Sequence, residues 1–219
     1  MNSQNNTAFI TRFHYPENTL SWRWRLDFYS DEVLPRILAQ ADSGFDIWVW
    51  CEPWQDNTIK SLSPRIRTFT GKWEPRSGPY FVDFTEYGDL KNLPKYQIQI
   101  GLDSDDLIEP GFVERVHQLC KGNKSIFVSF QPYKLNISTG QKYEFAPNWK
   151  YKKRNLGSPI FAFYQPNLDH RFKFLYHASH LVMPNFANVH IIEPEGLASM
   201  GIHHLNDSTT IEPGDLLCM

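Results

Sequence analysis

Apolar and polar positions along the first half of the chain fall into short strand-like runs separated by segments of helical character. Ala8-Phe9-Ile10-Thr11-Arg12-Phe13 reads as a first strand. Asp31 to Ala41 reads as a helix, with Ser30 as its N-cap and Asp31 and Glu32 in the first turn, where the helix dipole favours negative charge. Gly44 ends that segment, and Phe45-Asp46-Ile47-Trp48-Val49-Trp50 is a second strand. Arg65-Ile66-Arg67-Thr68-Phe69 is a weaker strand, and Gly71, Pro75, Gly78 and Pro79 mark residues 70–80 as loop. Tyr96 to Leu102 is another apolar-leaning run. Beyond a cluster of acids, residues 110–121 predict a helix with Phe112, Val113 and Val116 on one side. Strands alternating with helices imply a parallel α/β sheet.

The pattern changes after that helix. Ser125 to Gln131 reads as a strand, Asn136 to Lys142 as a hairpin turn, Tyr143-Glu144-Phe145 as the returning strand, and Ser158 to Tyr164 as a further strand. Strands joined by a tight turn pair antiparallel, so the second half is expected to be more antiparallel than the first. No internal repeat, low-complexity tract or clear linker divides the chain, and 219 residues suffice for one domain with a sizeable core.

Composition narrows the function classes. Hydrophobic residues make up 41% and charged residues 21%, the balance of a globular protein. A formal net charge of −2 lacks the basicity that a long nucleic-acid footprint needs. The 7 Trp, 10 Tyr and 16 Phe suit an aromatic core or sugar stacking equally well. Cys51, Cys120 and Cys218 are widely spaced and show neither metal spacing nor a disulfide framework. Met1 to Thr7 is polar, without an apolar secretory core, and no stretch reaches membrane-spanning length. A soluble, cytoplasmic protein is expected.

The chemistry concentrates after Leu102, where Asp103-Ser104-Asp105-Asp106 places three carboxylates within four residues. Like charges this close repel, and a hard divalent cation such as Mg²⁺ or Mn²⁺ offsets the repulsion with oxygen ligands alone. Asp and Ser also favour turns and helix N-caps, so the motif suits a structural turn into the following helix as well. As a surface cluster, it should tolerate loss of one acid without loss of the fold.

Gly101-Leu102-Asp103-Ser104-Asp105-Asp106, followed by Leu107-Ile108-Glu109-Pro110 and Phe112-Val113, resembles the Asp-x-Asp signature of GT-A glycosyltransferases. Phe9 to His14, Trp24-Arg25-Leu26-Asp27-Phe28, Val33-Leu34-Pro35 and Phe45 to Val49 resemble the opening of a rhamnosyltransferase group in that superfamily. The likeness covers the first half of the chain well and the second half poorly. It implies one GT-A-like (Rossmann-like) α/β domain over residues 1–219, with a mixed sheet that is parallel in its N-terminal half and more antiparallel in its C-terminal half. Residues 8–109 would bind the nucleotide sugar and residues 110–219 the acceptor.

The resemblance also implies roles. Asp103 and Asp105 are the signature acids, with Asp105 the direct ligand of Mn²⁺ or Mg²⁺ and Asp103 serving nucleotide and metal together. Asp106 is either a catalytic group on the acceptor side or a helix N-terminal acid. Many GT-A enzymes add a histidine ligand from the C-terminal part, which makes His203 and His204 candidates. Neighbours on an extended chain point to opposite sides, so at most one would face the metal. Parallel sheets bind ligands outside the carboxyl ends of their strands, which nominates Thr11 and Arg12 for the nucleotide. The planar guanidinium of Arg25 suits a diphosphate. Asp169, Glu193 and Glu195 are acids available as a catalytic base. Trp149-Lys150-Tyr151-Lys152-Lys153-Arg154 suits a diphosphate, an anionic acceptor or a solvated loop. His177 and His180 share a helical spacing but lack the Glu of a zinc-protease motif.

These implications converge on a metal-dependent glycosyltransferase moving a sugar from a nucleotide-sugar donor to an acceptor hydroxyl. A glycan acceptor is preferred over nucleic acid. The alternatives are transfer to a modified nucleic-acid base, a nucleotidylyltransferase, and a non-catalytic carbohydrate- or nucleic-acid-binding module. Thr11 to Pro16 contains no glycine for a phosphate loop, which counts against the nucleotidylyltransferase. A binding module leaves the acidic motif unexplained.

Overall fold

A computed structural model of the protein describes residues 6–13, 20–70, 94–144, 159–167, 183–194, 196–202 and 216–217. Strand β1 (Thr7–Phe13) is buried along almost its whole length. It pairs in parallel with β2 (Phe45–Cys51) on one side and β4 (Ile98–Gly101) on the other, and β3 (Ile66–Thr70) adds in parallel beyond β2. Past β4 the sense reverses. There β9 (Phe161–Tyr164) lies antiparallel between β4 and β6 (Ile126–Phe130), and β10 (Val189–Glu193) runs parallel to β6. The order β10-β6-β9-β4-β1-β2-β3 is the mixed sheet expected of the sequence.

The hairpin expected around Asn136 to Lys142 forms, but it belongs to a second sheet that the sequence does not predict. This sheet contains β5 (Asp106–Ile108), β7 (Tyr133–Asn136), β8 (Lys142–Glu144), β11 (Ala198–Ile202) and β12 (Leu216–Leu217), in the order β12-β8-β7-β11-β5. Each sheet takes strands from before and after residue 109.

Alternation along β1 sends Phe9, Thr11 and Phe13 to one face of the large sheet and Ile10 and Arg12 to the other. On the first face the Phe9 ring meets Phe45 at 5.1 Å, and the Phe13 ring meets Trp22 at 5.2 Å and Tyr29 at 5.6 Å. The helices that cover this face supply the other half of the core. They are α1 (Leu20–Phe28), a π-helical turn (Tyr29–Val33), α2 (Leu34–Leu38) and, farther along the chain, α4 (Phe112–Leu119). A short α3 (Asp56–Ser61) precedes β3.

Trp22, Arg25, Tyr29, Val33 and Ile37 are all buried, and their spacing of three to four residues puts them on one stripe. The helix expected over residues 31–41 therefore starts at Leu20, and Ser30 lies inside the π-helical turn instead of capping a helix. Pro35 has no N–H to give to the helical ladder. Just before it, the Leu34 N–H reaches five residues back to the Tyr29 carbonyl. Gln40 then ties α2 to α4. Its side-chain amide donates to the Arg36 and Glu109 carbonyls, at 3.1 Å each, and its oxygen accepts the Val113 N–H at 3.2 Å. No described helix is long and apolar enough to cross a membrane.

Candidate functional site

The acidic motif is the joint between the two sheets. After β4 the Leu102 N–H still bonds the Ile10 carbonyl of β1 at 3.3 Å. Asp103 to Asp106 then form a tight turn, closed by the Asp106 N–H on the Asp103 carbonyl at 3.2 Å. Asp106 opens strand β5 and pairs with Met200 of antiparallel β11. Its reading as a helix N-terminal acid is thus corrected. The edge of β11 takes up the backbone, Leu107 and Ile108 sink into the core, and α4 starts only after Pro110-Gly111.

This turn is not a surface cluster. Asp105 is 5% exposed and Asp106 4%, Ser104 is fully enclosed, and Asp103 is partly exposed. Arg25, on the buried stripe of α1, brings Nη1 to 2.6 Å from Asp105 Oδ1 and 3.4 Å from Ser104 Oγ. On the other side Gly201 of β11 lies against the turn. Its N–H is hydrogen-bonded to the Asp106 carboxylate. A methyl group added at Gly201 would overlap the Asp105 carbonyl oxygen and approach Ile137 Cδ1 to 2.8 Å.

Burial pushes the Asp106 carboxyl well above the usual carboxylate range, and the charges of Asp105 and then Asp103 add to that. The Arg25 guanidinium and the Gly201 amide pull the other way. A carboxylate crowded by two others in one turn belongs to an all-oxygen donor set, which suits a hard divalent ion. Among the described residues, no three His, Cys, Asp or Glu side chains are grouped to hold a metal by themselves.

The other sequence-predicted residues scatter. Thr11 is completely enclosed on the helix-covered face of β1, while Arg12 is half-buried on the opposite face, in register with Trp50. Arg25 is engaged with Asp105. Glu193 ends β10, three strands from β4 in the sheet order, or about 14 Å at roughly 4.8 Å per strand. Arg115 of α4 takes both its oxygens, Nε to Oε1 at 2.7 Å and Nη2 to Oε2 at 3.1 Å. Asp169, Glu195, His203 and His204 lie outside the described residues, as do Trp149 to Arg154, His177 and His180.

Sequence reasoning passed over Gly201. Its only signal is a glycine inside a strand, which often marks a close backbone approach. Cys51 and Cys120 are buried, and burial pushes both thiols up to about 12, so neither is a ready thiolate. The fork on Glu193 makes it an anchor for α4. Glu193→Gln keeps the shape and loses the charge-assisted pair. We expect a lower midpoint of thermal unfolding, with donor turnover changed by no more than a few fold. A collapse of turnover at unchanged stability would return Glu193 to the reaction.

Comparison with solved structures finds the same fold elsewhere. Residues 1–349 of S. aureus TarS, in complex with UDP-GlcNAc, superpose with a TM-score of 0.54 at 14% identity, covering 94% of this chain and 62% of that one. A longer S. aureus TarS structure gives 0.50 at 14% identity, over 90% of this chain and 37% of that one. The chain thus spans less than two thirds of either TarS structure. A 4-diphosphocytidyl-2C-methyl-D-erythritol synthase from Anaerococcus prevotii aligns over 87% of both chains at 15% identity, but its TM-score of 0.44 is too low to carry an argument. No protein-family model and no curated protein sequence matches the chain. At such identities the likeness establishes architecture alone: this is a mixed α/β chain with a GT-A-like fold.

Proposed function

We propose that the chain is a nucleotide-sugar-dependent glycosyltransferase of the GT-A kind, with the Asp103–Asp106 turn as the metal and diphosphate end of its donor site. One observation carries the reading. The turn stands at the carboxyl end of β4, beside β1 in the middle of the sheet, which is where open α/β sheets bind ligands. Support comes from the likeness to TarS, a protein solved with UDP-GlcNAc.

In this reading Asp103 and Asp105 hold Mn²⁺ or Mg²⁺, which when bound supplies Lewis-acid neutralisation of the departing diphosphate. Asp106 positions the turn through the Gly201 amide. Arg25 holds the Asp105 carboxylate in place. Arg12 remains the nucleotide candidate near the end of β1, while Thr11, fully enclosed beneath the helices, is withdrawn. With Glu193 held by Arg115, Asp169 and Glu195 remain the acids to test as the base that takes the acceptor proton. The amino-terminal likeness makes an activated rhamnose one donor to try, and UDP-GlcNAc is another. The near-neutral charge favours a glycan hydroxyl as acceptor over nucleic acid.

The deciding experiment is Mn²⁺-dependent hydrolysis of a panel of nucleotide sugars, with and without chelator. Turnover of at least one donor, lost on chelation, is the expected result. Neither hydrolysis nor binding of any donor would leave a non-catalytic binding module.

β11 brings the chain to the turn at Gly201, two residues before His203. We therefore expect His203→Ala or His204→Ala, but not both, to raise the Mn²⁺ concentration for half-maximal turnover by about tenfold or more. Equal, small effects from the two substitutions would remove both from the site.

A further inference from the structure

A cleft of about 640 Å³ opens between the α1–α2 segment and the β7–β8 hairpin, within the range of roughly 300–1,000 Å³ that holds drug-sized ligands. The acidic turn does not itself line it, but chain neighbours of Asp106 and Arg25 do. Trp24 lines the cleft, and the next residue, Arg25, pairs with Asp105. Leu107 also lines it, and the preceding Asp106 receives the Gly201 amide.

The cleft carries three kinds of surface. Trp24 and Phe28, one helical turn apart, stack with centroids 5.0 Å apart and planes 8° from parallel, forming an aromatic wall. Asp27 and Asp31, also one turn apart, stand exposed beside them as acceptor-only groups. Lys142 Nζ from the hairpin and Arg36 Nη1 from α2 meet Glu109 at 2.8 and 3.5 Å, and Arg36 also meets Glu32 at 4.0 Å, so these donors have their charge balanced by two carboxylates.

We propose that this cleft binds a neutral oligosaccharide, as the part of the acceptor glycan remote from the reacting hydroxyl. The word acceptor rests on the glycosyltransferase reading above. The binding chemistry does not. A sugar ring lays its C–H face on an aromatic wall, donates hydroxyl protons to carboxylates and accepts from ammonium and guanidinium groups. A polyanion would meet Asp27, Asp31 and Glu32, whereas a polycation is the competing occupant those acids would attract, which retention on oligolysine scores.

The test uses the whole chain on immobilised neutral oligosaccharides, sulfated oligosaccharides and oligolysine, with nucleotide-sugar hydrolysis measured separately on the wild type. Retention on at least one neutral oligosaccharide is expected. Trp24→Ala/Phe28→Ala should weaken it by about tenfold or more, as the loss of a buried aromatic anchor does. Asp27→Asn/Asp31→Asn alters only exposed groups, so it keeps the wild-type unfolding midpoint and should weaken the same retention severalfold. The proposal is overturned if the wild type binds no neutral oligosaccharide, if both variants bind as the wild type does, or if only the sulfated glycans or oligolysine are retained. Retention without donor hydrolysis sinks the glycosyltransferase reading and leaves the cleft as a carbohydrate site. Donor hydrolysis without retention does the reverse.

Discussion

Asp105→Ala is expected to abolish metal-dependent donor turnover and to lower the stability of the fold by about 3–5 kcal/mol, the usual cost of orphaning one member of a buried ion pair. The second half of that statement reverses what the sequence implies. Read as a surface acid among repelling acids, Asp105 looks dispensable to the fold. In the structure it is 5% exposed and lies 2.6 Å from a guanidinium that is itself buried. Removing the carboxylate takes the 2.6 Å partner from a buried guanidinium, and that penalty exceeds any relief of repulsion from Asp103 and Asp106.

The two effects can be separated. Replacing both partners by apolar side chains, as in Arg25→Met/Asp105→Leu, removes both buried charges and should recover most of the lost stability. Turnover should stay absent, because the metal ligand is gone. Urea unfolding and Mn²⁺-dependent hydrolysis, measured on the single and double variants, read the two quantities independently. Near wild-type turnover of Asp105→Ala at saturating Mn²⁺ would make the turn purely structural. A double variant that regains both stability and turnover would show that Asp105 served the fold and not the metal.

Which parts of this architecture could be read in advance follows from how local their causes are. β1, β2, β4 and β6 are apolar runs bounded by turn residues, and such a run is nearly sufficient to make a buried strand. α1 was hidden for a physical reason. Trp22-Arg23-Trp24-Arg25 alternates with a period of two, and the buried stripe of the helix includes Arg25, so the apolar signal breaks where the chain reaches toward Asp105. β5 is three residues long, and β11 is Ala198-Ser199-Met200-Gly201-Ile202, with little strand propensity of its own. β5 is held by β11 across about ninety residues of chain, and β11 is held on its other side by β7.

The candidate site divides along the same line. The acidic triplet is local and stood out at once. Its burial, its partner Arg25 and its close neighbour Gly201 are products of long-range packing. Glu193 makes the same point in reverse. Nothing around it in sequence distinguishes it, and the arginine that takes its carboxylate lies 78 residues away. Sequence found where the charge is concentrated and left open what holds it.

Gly201→Ala tests that missing half. A methyl group at this position would overlap the Asp105 carbonyl oxygen and come within 2.8 Å of Ile137 Cδ1. The Ile137 side chain can turn away. The carbonyl belongs to the backbone of the turn and cannot, so either β11 or the acidic turn must shift. Overpacking of this kind costs about 1–3 kcal/mol, which sets the expected loss of stability. The larger effect is on function. A shift of the turn moves the Asp105 and Asp106 carboxylates away from Arg25 and from the Gly201 amide together, and a misplacement of about 1 Å in a reacting geometry can cost roughly 100-fold in rate. We therefore expect Gly201→Ala to raise the Mn²⁺ concentration for half-maximal donor turnover and to lower the maximal rate. Glu193→Gln, which loosens α4 and leaves the turn alone, should cost stability without that change in metal requirement. Mn²⁺ titrations of donor hydrolysis, run below the unfolding transition of each variant, separate the two. If Gly201→Ala loses stability and keeps the wild-type Mn²⁺ requirement, β11 packs against the acidic turn without positioning it, and the five-stranded sheet has no part in holding the metal end of the site.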